Sequence, residues 1–425
     1  MGQSAGFAKA AAPFLRGSRL AGVFVGWSRG FGRAAQSAPH VATGAWFLPK
    51  PVAFQAVELS PQAIEDARAD WSALAQGALE PSPFFEHGFA LAAARHLPPD
   101  DRPRFIALRN MHGDLAAIFP LAPTGLSGAD GLVRVWRGDL TALATPLVLR
   151  DQAPETLVAF LDWAAAASPA AGALFPRVPL GGAFHTALVD AATRRGRRIE
   201  ILESFARAAL TPGGSADEKC RQAGGLKKVN DIRRTQRRLA ERGAVEFGIV
   251  ADAGAARAAV EEFLALEASG WKAGRGAFLS EPARATFLRS ATRLLAVDGL
   301  CKIAALRLDG RAIAMAILLQ SQNRSYCWKM AIDDGLRALA PGVQLAHALA
   351  ALQLARPEIE LTDSCAIARH PMIGRLWPDR VALCDIAVSL RDEGFEAALR
   401  REQRRRRVRE FAKRAANRLL KRKVS

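Results

Sequence analysis

Arg337-Ala338-Leu339-Ala340-Pro341-Gly342-Val343-Gln344-Leu345 stands between a run ending near Asp333 and an amphipathic stretch, Val343 to Ala355, that stops near Pro357. Pro341 sets φ for a helix entry, and Gly342 has no Cβ to keep a ligand off the backbone. A helix opening in this way leaves the N–H groups of Gly342, Val343 and Gln344 pointing outward. With the positive helix end they suit a pyrophosphate. Proline-glycine at a helix start is also common punctuation, so the string alone carries both readings.

The surroundings place it in a repeating order. Upstream, Cys301 to Leu308 reads as a strand closed by Asp309-Gly310, a hairpin signal. Ala312 to Gln320 returns, and Ser325 to Ile332 makes a third strand. Downstream, Ile359 to Ser364 and Val381 to Leu390 are strands. Before the hairpin, Val260 to Leu266 and Glu281 to Val297 are helical. The first half has a similar order: helix from Pro61 to Gly77, strands Phe105 to Arg109 and Leu115 to Leu121, helix Pro154 to Ala167, strand Gly172 to Val178, helix Phe184 to Arg195, strand Arg198 to Ala208. The reading is α+β: two related units in tandem with mixed sheets flanked by helices, joined near Thr211-Pro212-Gly213-Gly214. The expected divisions are a flexible basic arm at 1–50, units at 51–212 and 213–392, and a basic, helical tail at 393–425.

Antiparallel strands, a loop, a helix and a parallel-type strand resemble the core of the GNAT acyltransferase fold. Leu266-Glu267-Ala268-Ser269-Gly270-Trp271-Lys272 resembles the Glu-x-x-x-Trp-Lys element of its CelD-like group, associated with bacterial cellulose synthesis and related to the FemAB peptidyltransferases. Asp363-Ser364, His370-Pro371-Met372 and Trp377-Pro378-Asp379-Arg380 resemble the end of that domain, and the match spans roughly 215–390. The first half resembles a more divergent GNAT-like unit, including Pro83-Phe84-Phe85. The resemblance implies an acyl-CoA cosubstrate, acetyl-CoA foremost, with Pro341, Gly342, Val343 and Gln344 at its pyrophosphate. The loop departs from the usual Gln/Arg-x-x-Gly-x-Gly/Ala in having one glycine. The sole tyrosine, Tyr326, lies on a strand before the loop rather than where GNAT enzymes place a general acid.

Acyl transfer to an amine or hydroxyl uses a base for the nucleophile and donors for the oxyanion. Glu267, Asp363 and His370 are the catalytic candidates. Their ordinary alternatives are a solvated helix carboxylate, a turn cap and a structural loop histidine. Trp271 and Lys272 are substrate-binding candidates, as a pocket wall and a phosphate contact. Cys365 lies five residues before His370, but sequence neighbours rarely form a Cys/His pair, which favours direct transfer. Seven histidines are scattered with no H-x-x-x-H pair, so metal catalysis is not expected. Five cysteines without C-x-x-C argue against a disulfide framework or structural zinc and fit a reducing compartment.

The net charge of +18 is concentrated at the ends. Residues 1–57 carry +6 with no acid, and residues 400–425 carry +11, leaving the body near neutral. No apolar run suits a membrane span, and Ala21 to Trp27 is too short and glycine-containing for an export signal. The expectation is a cytoplasmic protein, peripheral at the inner membrane face, whose basic tails meet anionic lipid headgroups. The segment Leu226 to Arg242 is a basic helix suited to coenzyme phosphates, an anionic acceptor or RNA. The leading expectation is an acyl-CoA-dependent N- or O-acyltransferase acting on a polysaccharide or cell-envelope precursor. The alternatives are an aminoacyl-tRNA-dependent transferase and a degenerate, non-catalytic scaffold at the membrane.

Overall fold

The computed structural model describes residues 54–128, 131–270 and 276–422, with side chains to 412. The first half runs β1 (Gln55–Leu59), α1 (Pro61–Asp66), α2 (Arg68–Gly77), α3 (His87–His96), β2 (Arg104–Arg109), β3 (Leu115–Leu121), β4 (Leu132–Arg134), β5 (Leu147–Val148), α4 (Ala153–Ala167), β6 (Gly172–Pro179), α5 (Ala183–Arg194) and β7 (Ile199–Leu210). The second runs α6 (Ala216–Ala240), β8 (Val245–Val250), α7 (Ala253–Ser269), α8 (Pro282–Val297), β9 (Cys301–Leu308), β10 (Arg311–Ser321), β11 (Arg324–Ile332), α9 (Pro341–Leu354), β12 (Leu361–Asp363), β13 (Asp379–Ser389) and α10 (Phe395–Arg422).

Local chemistry sets several boundaries. Ser215 and Glu218 form a reciprocal capping box at α6. Asp309 and Gly310 both adopt positive φ, which turns β9 into β10 with the twist a two-residue hairpin needs. The predicted helix from Pro61 to Gly77 is interrupted at Ala67, giving α1 and α2.

Two sheets form. One has the order β1-β2-β3-β5; the other is nine-stranded, β4-β6-β13-β7-β12-β11-β10-β9-β8. An isolated bridge, Leu121 to Val135, links the end of β3 to the residue after β4. The large sheet is antiparallel except at β4/β6 and β11/β12, one parallel step in each half. Each step spans a helical crossover, α4 in the first half and α9 in the second. At the centre, the last strands are exchanged. β13 pairs with both β6 and β7 of the first half, while β7 also pairs with β12 of the second. The mixed sheets flanked by helices make the α+β architecture expected from the sequence.

Apolar residues alternate across the sheet and sort into two main clusters. Met315, Ile317 and Leu319 of β10 pack with α3, α7 and α8 on one face. Ala316 and Leu318 pack with α6 and α9 on the other. No helix among the described residues is long and apolar enough to cross a membrane.

Candidate active site

β11 and β12 pair in parallel only from Arg324 to Tyr326, opposite Leu361 to Asp363. Beyond that register β11 continues to Ile332 beside β10, while the chain after Asp363 leaves the sheet. The strands therefore part, and α9 begins at the open end, after a 3-10 turn from Asp334 to Leu339. Ala340 precedes α9 in the left-handed region, with φ 51°.

The α9 start differs from the sequence expectation in one respect. The N–H groups of Val343 and Gln344 do not point outward unpaired; both close on the Ala340 carbonyl, at 3.0 and 3.1 Å. Pro341 has no N–H, so Gly342 supplies the donor left without a partner among the described residues. Gln344 instead turns its side-chain amide onto the Leu339 carbonyl, at 2.8 Å. Gly342 is packed closely: a Cβ there would come 3.0 Å from Ile332 Cγ2 and 3.6 Å from Met372 Sδ. Met372 ties α9 to the loop that carries His370.

His370 is half-buried. Its Nδ1 accepts from the N–H groups of Met372 and Ile373, each at 3.3 Å. An Nδ1 held as acceptor puts the proton of the neutral ring on Nε2. Burial pushes its pKa below the ordinary histidine value. The ring thus offers an Nε2–H donor, whereas the sequence admitted it as a base.

Asp363 is fully engaged. Its two oxygens take Arg207 Nε and Nη2, both at 2.7 Å, and Oδ1 also takes the Cys365 N–H at 2.9 Å. The side chains of this pair are 1% and 2% exposed, so no lone pair faces a substrate. Arg207 spends its remaining Nη1 on the Ala142 carbonyl, at 2.9 Å. Neighbouring carbonyls of that loop are held likewise, Leu140 by Trp328 Nε1 at 2.7 Å and Thr141 by Arg177 Nη1 at 3.2 Å.

Glu267 is buried near the end of α7 and accepts the Phe278 N–H at 3.0 Å. Its neighbours Leu266 and Phe278 belong to the α7/α8 face, whereas Met372 and Ile373 belong to the α6/α9 face. The structure therefore brings the start of α9 and His370 together and leaves Glu267 across the sheet from them. Trp271 and Lys272 lie outside the described residues. Tyr326 is buried and donates to the Pro81 carbonyl at 3.2 Å; burial drives its pKa upward. Burial likewise raises the Cys365 thiol well above its usual range, with Asp363 adding to the effect. Among the described residues no group of three metal-ligating side chains occurs.

Beside His370 a cleft of about 760 Å³ opens between β7 and the 368–375 loop. Its charged lining is Arg207, Arg369, Arg375 and Arg380, and no carboxylate lines it. Sequence reasoning named Arg380 only as part of a motif and passed over the others. Arg369, directly before His370, was the available signal.

This arrangement is a splayed parallel strand pair, a helix start and a polar loop on one face. Residues 227–361 match the family model described as an acetyltransferase (GNAT) domain. The chain carries an acyltransferase domain of the GNAT type. Among solved structures, L-PGS from Bacillus licheniformis is 14% identical, with 82% of this chain and 97% of that one covered and a TM-score of 0.49. FemX is 12% identical over 79% and 96%, with a TM-score of 0.48. A tandem GNAT protein from the clavulanic acid biosynthesis pathway is 13% identical over 80% and 99%, with a TM-score of 0.41. At TM-scores below 0.5 these likenesses do not decide what the GNAT domain acts on. No curated protein matches the chain.

Proposed function

We propose that the chain transfers an acyl group, acetyl foremost, from acyl-CoA directly to an amine or hydroxyl of a polysaccharide or cell-envelope precursor, as in the CelD-like group. The observation that carries this reading is the closeness of Met372 to the start of α9, its Sδ lying 3.6 Å from where a Cβ on Gly342 would stand, which sets that helix start beside the His370 loop. In this reading Pro341 to Gln344 receive the coenzyme pyrophosphate, chiefly through the Gly342 N–H and the positive end of α9. The acceptor enters by the cleft. A bond forms from its nitrogen or oxygen to the acyl carbon, and the C–S bond breaks. The departing thiolate takes a proton, and the nucleophile loses one to water. His370 Nε2–H donates to the oxygen on which negative charge develops. Asp363 positions the Arg207 side chain and its loop rather than moving a proton. Titration with acetyl-CoA, followed by single turnover on candidate acceptors, tests the reading; failure to bind acetyl-CoA removes it.

A specific observation supports aminoacyl-tRNA as the alternative donor. On α6, Arg237 and Arg238 are exposed without a partner among the described residues, and Arg242 follows them. A tRNA titration whose salt slope falls on neutralising these arginines would favour this donor.

We also infer peripheral contact with an anionic inner leaflet through α10, where Val408 and Phe411 are exposed between arginines.

A further inference from the structure

We propose that the cleft over β7 is a phosphate site, in which Arg369 and Arg375 grip a phosphate ester beside His370. Its place on the reaction path rests on the acyl-transfer reading above; the binding itself does not.

The cleft's charge is one-sided. Arg207 is cancelled by Asp363. Arg380 is turned onto backbone, with Nη1 donating to the carbonyls of Trp377, Pro378 and Asp379 at 2.7, 2.9 and 2.7 Å. Its positive charge still lies in the wall. Arg369 and Arg375 are exposed and have no side-chain partner among the described residues. Elsewhere Arg289 is paired with Glu261 and Arg307 with Glu262. Two guanidinium groups thus flank the cavity with no carboxylate in its lining to neutralise them.

The backbone holds them in place. Arg369 sits at φ 55°, in the left-handed region that a residue with a Cβ rarely adopts. The turn is closed by the His370 N–H to Ile367 and the Gly374 N–H to His370, at 3.2 and 3.1 Å. Ser204, Ala206 and Ala208 supply a floor of small side chains. The volume lies within the span of about 300–1,000 Å³ common for small-molecule sites.

Phosphate suits this set better than carboxylate. Arginine forks bind either anion bidentately. A terminal phosphate, however, has three oxygens and can meet both forks and the His370 Nε2–H together. Two sources share this chemistry: a phosphate on the acceptor, and a phosphate of the coenzyme itself.

Calorimetric titration of the full chain with inorganic pyrophosphate at low salt tests the site. Arg369→Gln/Arg375→Gln should lose affinity tenfold or more. Arg257→Gln/Arg293→Gln, which removes equal charge from α7 and α8 across the sheet, should bind like the parent. Both positions in the cleft variant are exposed, and a thermal melt checks that it folds. Unchanged binding by a folded cleft variant, or equal loss in both variants, overturns the proposal. If saturating coenzyme A displaces pyrophosphate and binds the cleft variant weakly, the phosphate is the donor's. If both bind together and the cleft variant binds coenzyme A normally, it is the acceptor's. Pyrophosphate binding in a chain that fails to bind acetyl-CoA would refute the acyl-CoA reading and leave the phosphate site standing.

Discussion

Arg207 on β7 and Asp363 at the end of β12 face each other through two parallel hydrogen bonds of 2.7 Å, both side chains out of water. They are 156 positions apart in the chain. Removing one partner of such a pair leaves a buried charge and costs about 3–5 kcal/mol. Asp363→Asn should therefore lower the unfolding free energy obtained from urea titration by that order, and the midpoint with it. Replacing both, as Arg207→Met with Asp363→Leu, should recover most of the loss. A full-strength midpoint in Asp363→Asn would show that the pair does not hold the strands.

His370→Ala should lower turnover by roughly 10²–10³-fold if its Nε2–H stabilises the oxyanion. His370→Gln, which keeps a donor, should fall less. The measurement is kcat on the acceptor, with acetyl-CoA affinity as the internal control. Equal turnover in all three forms removes the histidine from the chemistry.

Gly342→Ala introduces a Cβ 3.0 Å from Ile332 Cγ2, tighter than ordinary contact. Either Ile332 gives way or the first turn of α9 shifts from the coenzyme. Acetyl-CoA affinity measured by calorimetry should drop several-fold. Gly342→Val should drop further and also cost stability.

Glu86, at the start of α3, is buried against Ser321 of β10, whose hydroxyl donates to it at 2.6 Å. Burial raises its pKa to about 7. The folded state therefore keeps this proton to higher pH than the unfolded state does. The stabilisation is fully present below the ordinary carboxylate range and is lost as pH rises through about 7. Urea unfolding between pH 4.5 and 8 should show a decline with pH of about 3 kcal/mol at most, and Glu86→Gln should flatten it. An identical slope in the variant would assign the decline elsewhere.

The basic tail at 393–425 is also anchored to the body. Glu402 is buried on Arg134 at 2.8 Å, and Arg406 reaches Asp385 at 2.7 Å and Glu203 at 2.8 Å. These contacts pin the first turns of α10. Cutting after 399 should thus destabilise the body, whereas cutting after 412 should spare it. Phe411→Ser with Arg404→Gln and Arg407→Gln should weaken sedimentation with phosphatidylglycerol vesicles and leave weak binding to neutral vesicles unchanged. Equal sedimentation of parent and variant would rule out α10 as the contact.

The readable parts of the fold were those written locally. Asp309-Gly310 announces its hairpin because two left-handed residues in sequence have few other uses, and Pro341 announces α9. By contrast, α3 went unread: His87 to Ala94 are all buried, which erases the helical alternation of apolar and polar residues. The exchange of β7 and β13 was unreadable because a buried strand looks the same beside any neighbour. In the site, the start of α9 and His370 could be singled out, but the role of Asp363 could not. Its partner lies on a strand of the other half, and a carboxylate at a strand end carries no mark of what it faces. Arg369 and Arg375 were hidden by the general abundance of arginine.

The exchanged last strands also bear on how the polypeptide is made. The first half cannot complete its part of the large sheet until Asp379–Ser389 is available to lie between β6 and β7. A nascent chain would hold β6 and β7 with an unfilled gap until β13 has left the ribosome. Final assembly then waits for β13, and the exposed strand edges in the interval are a natural station for a chaperone.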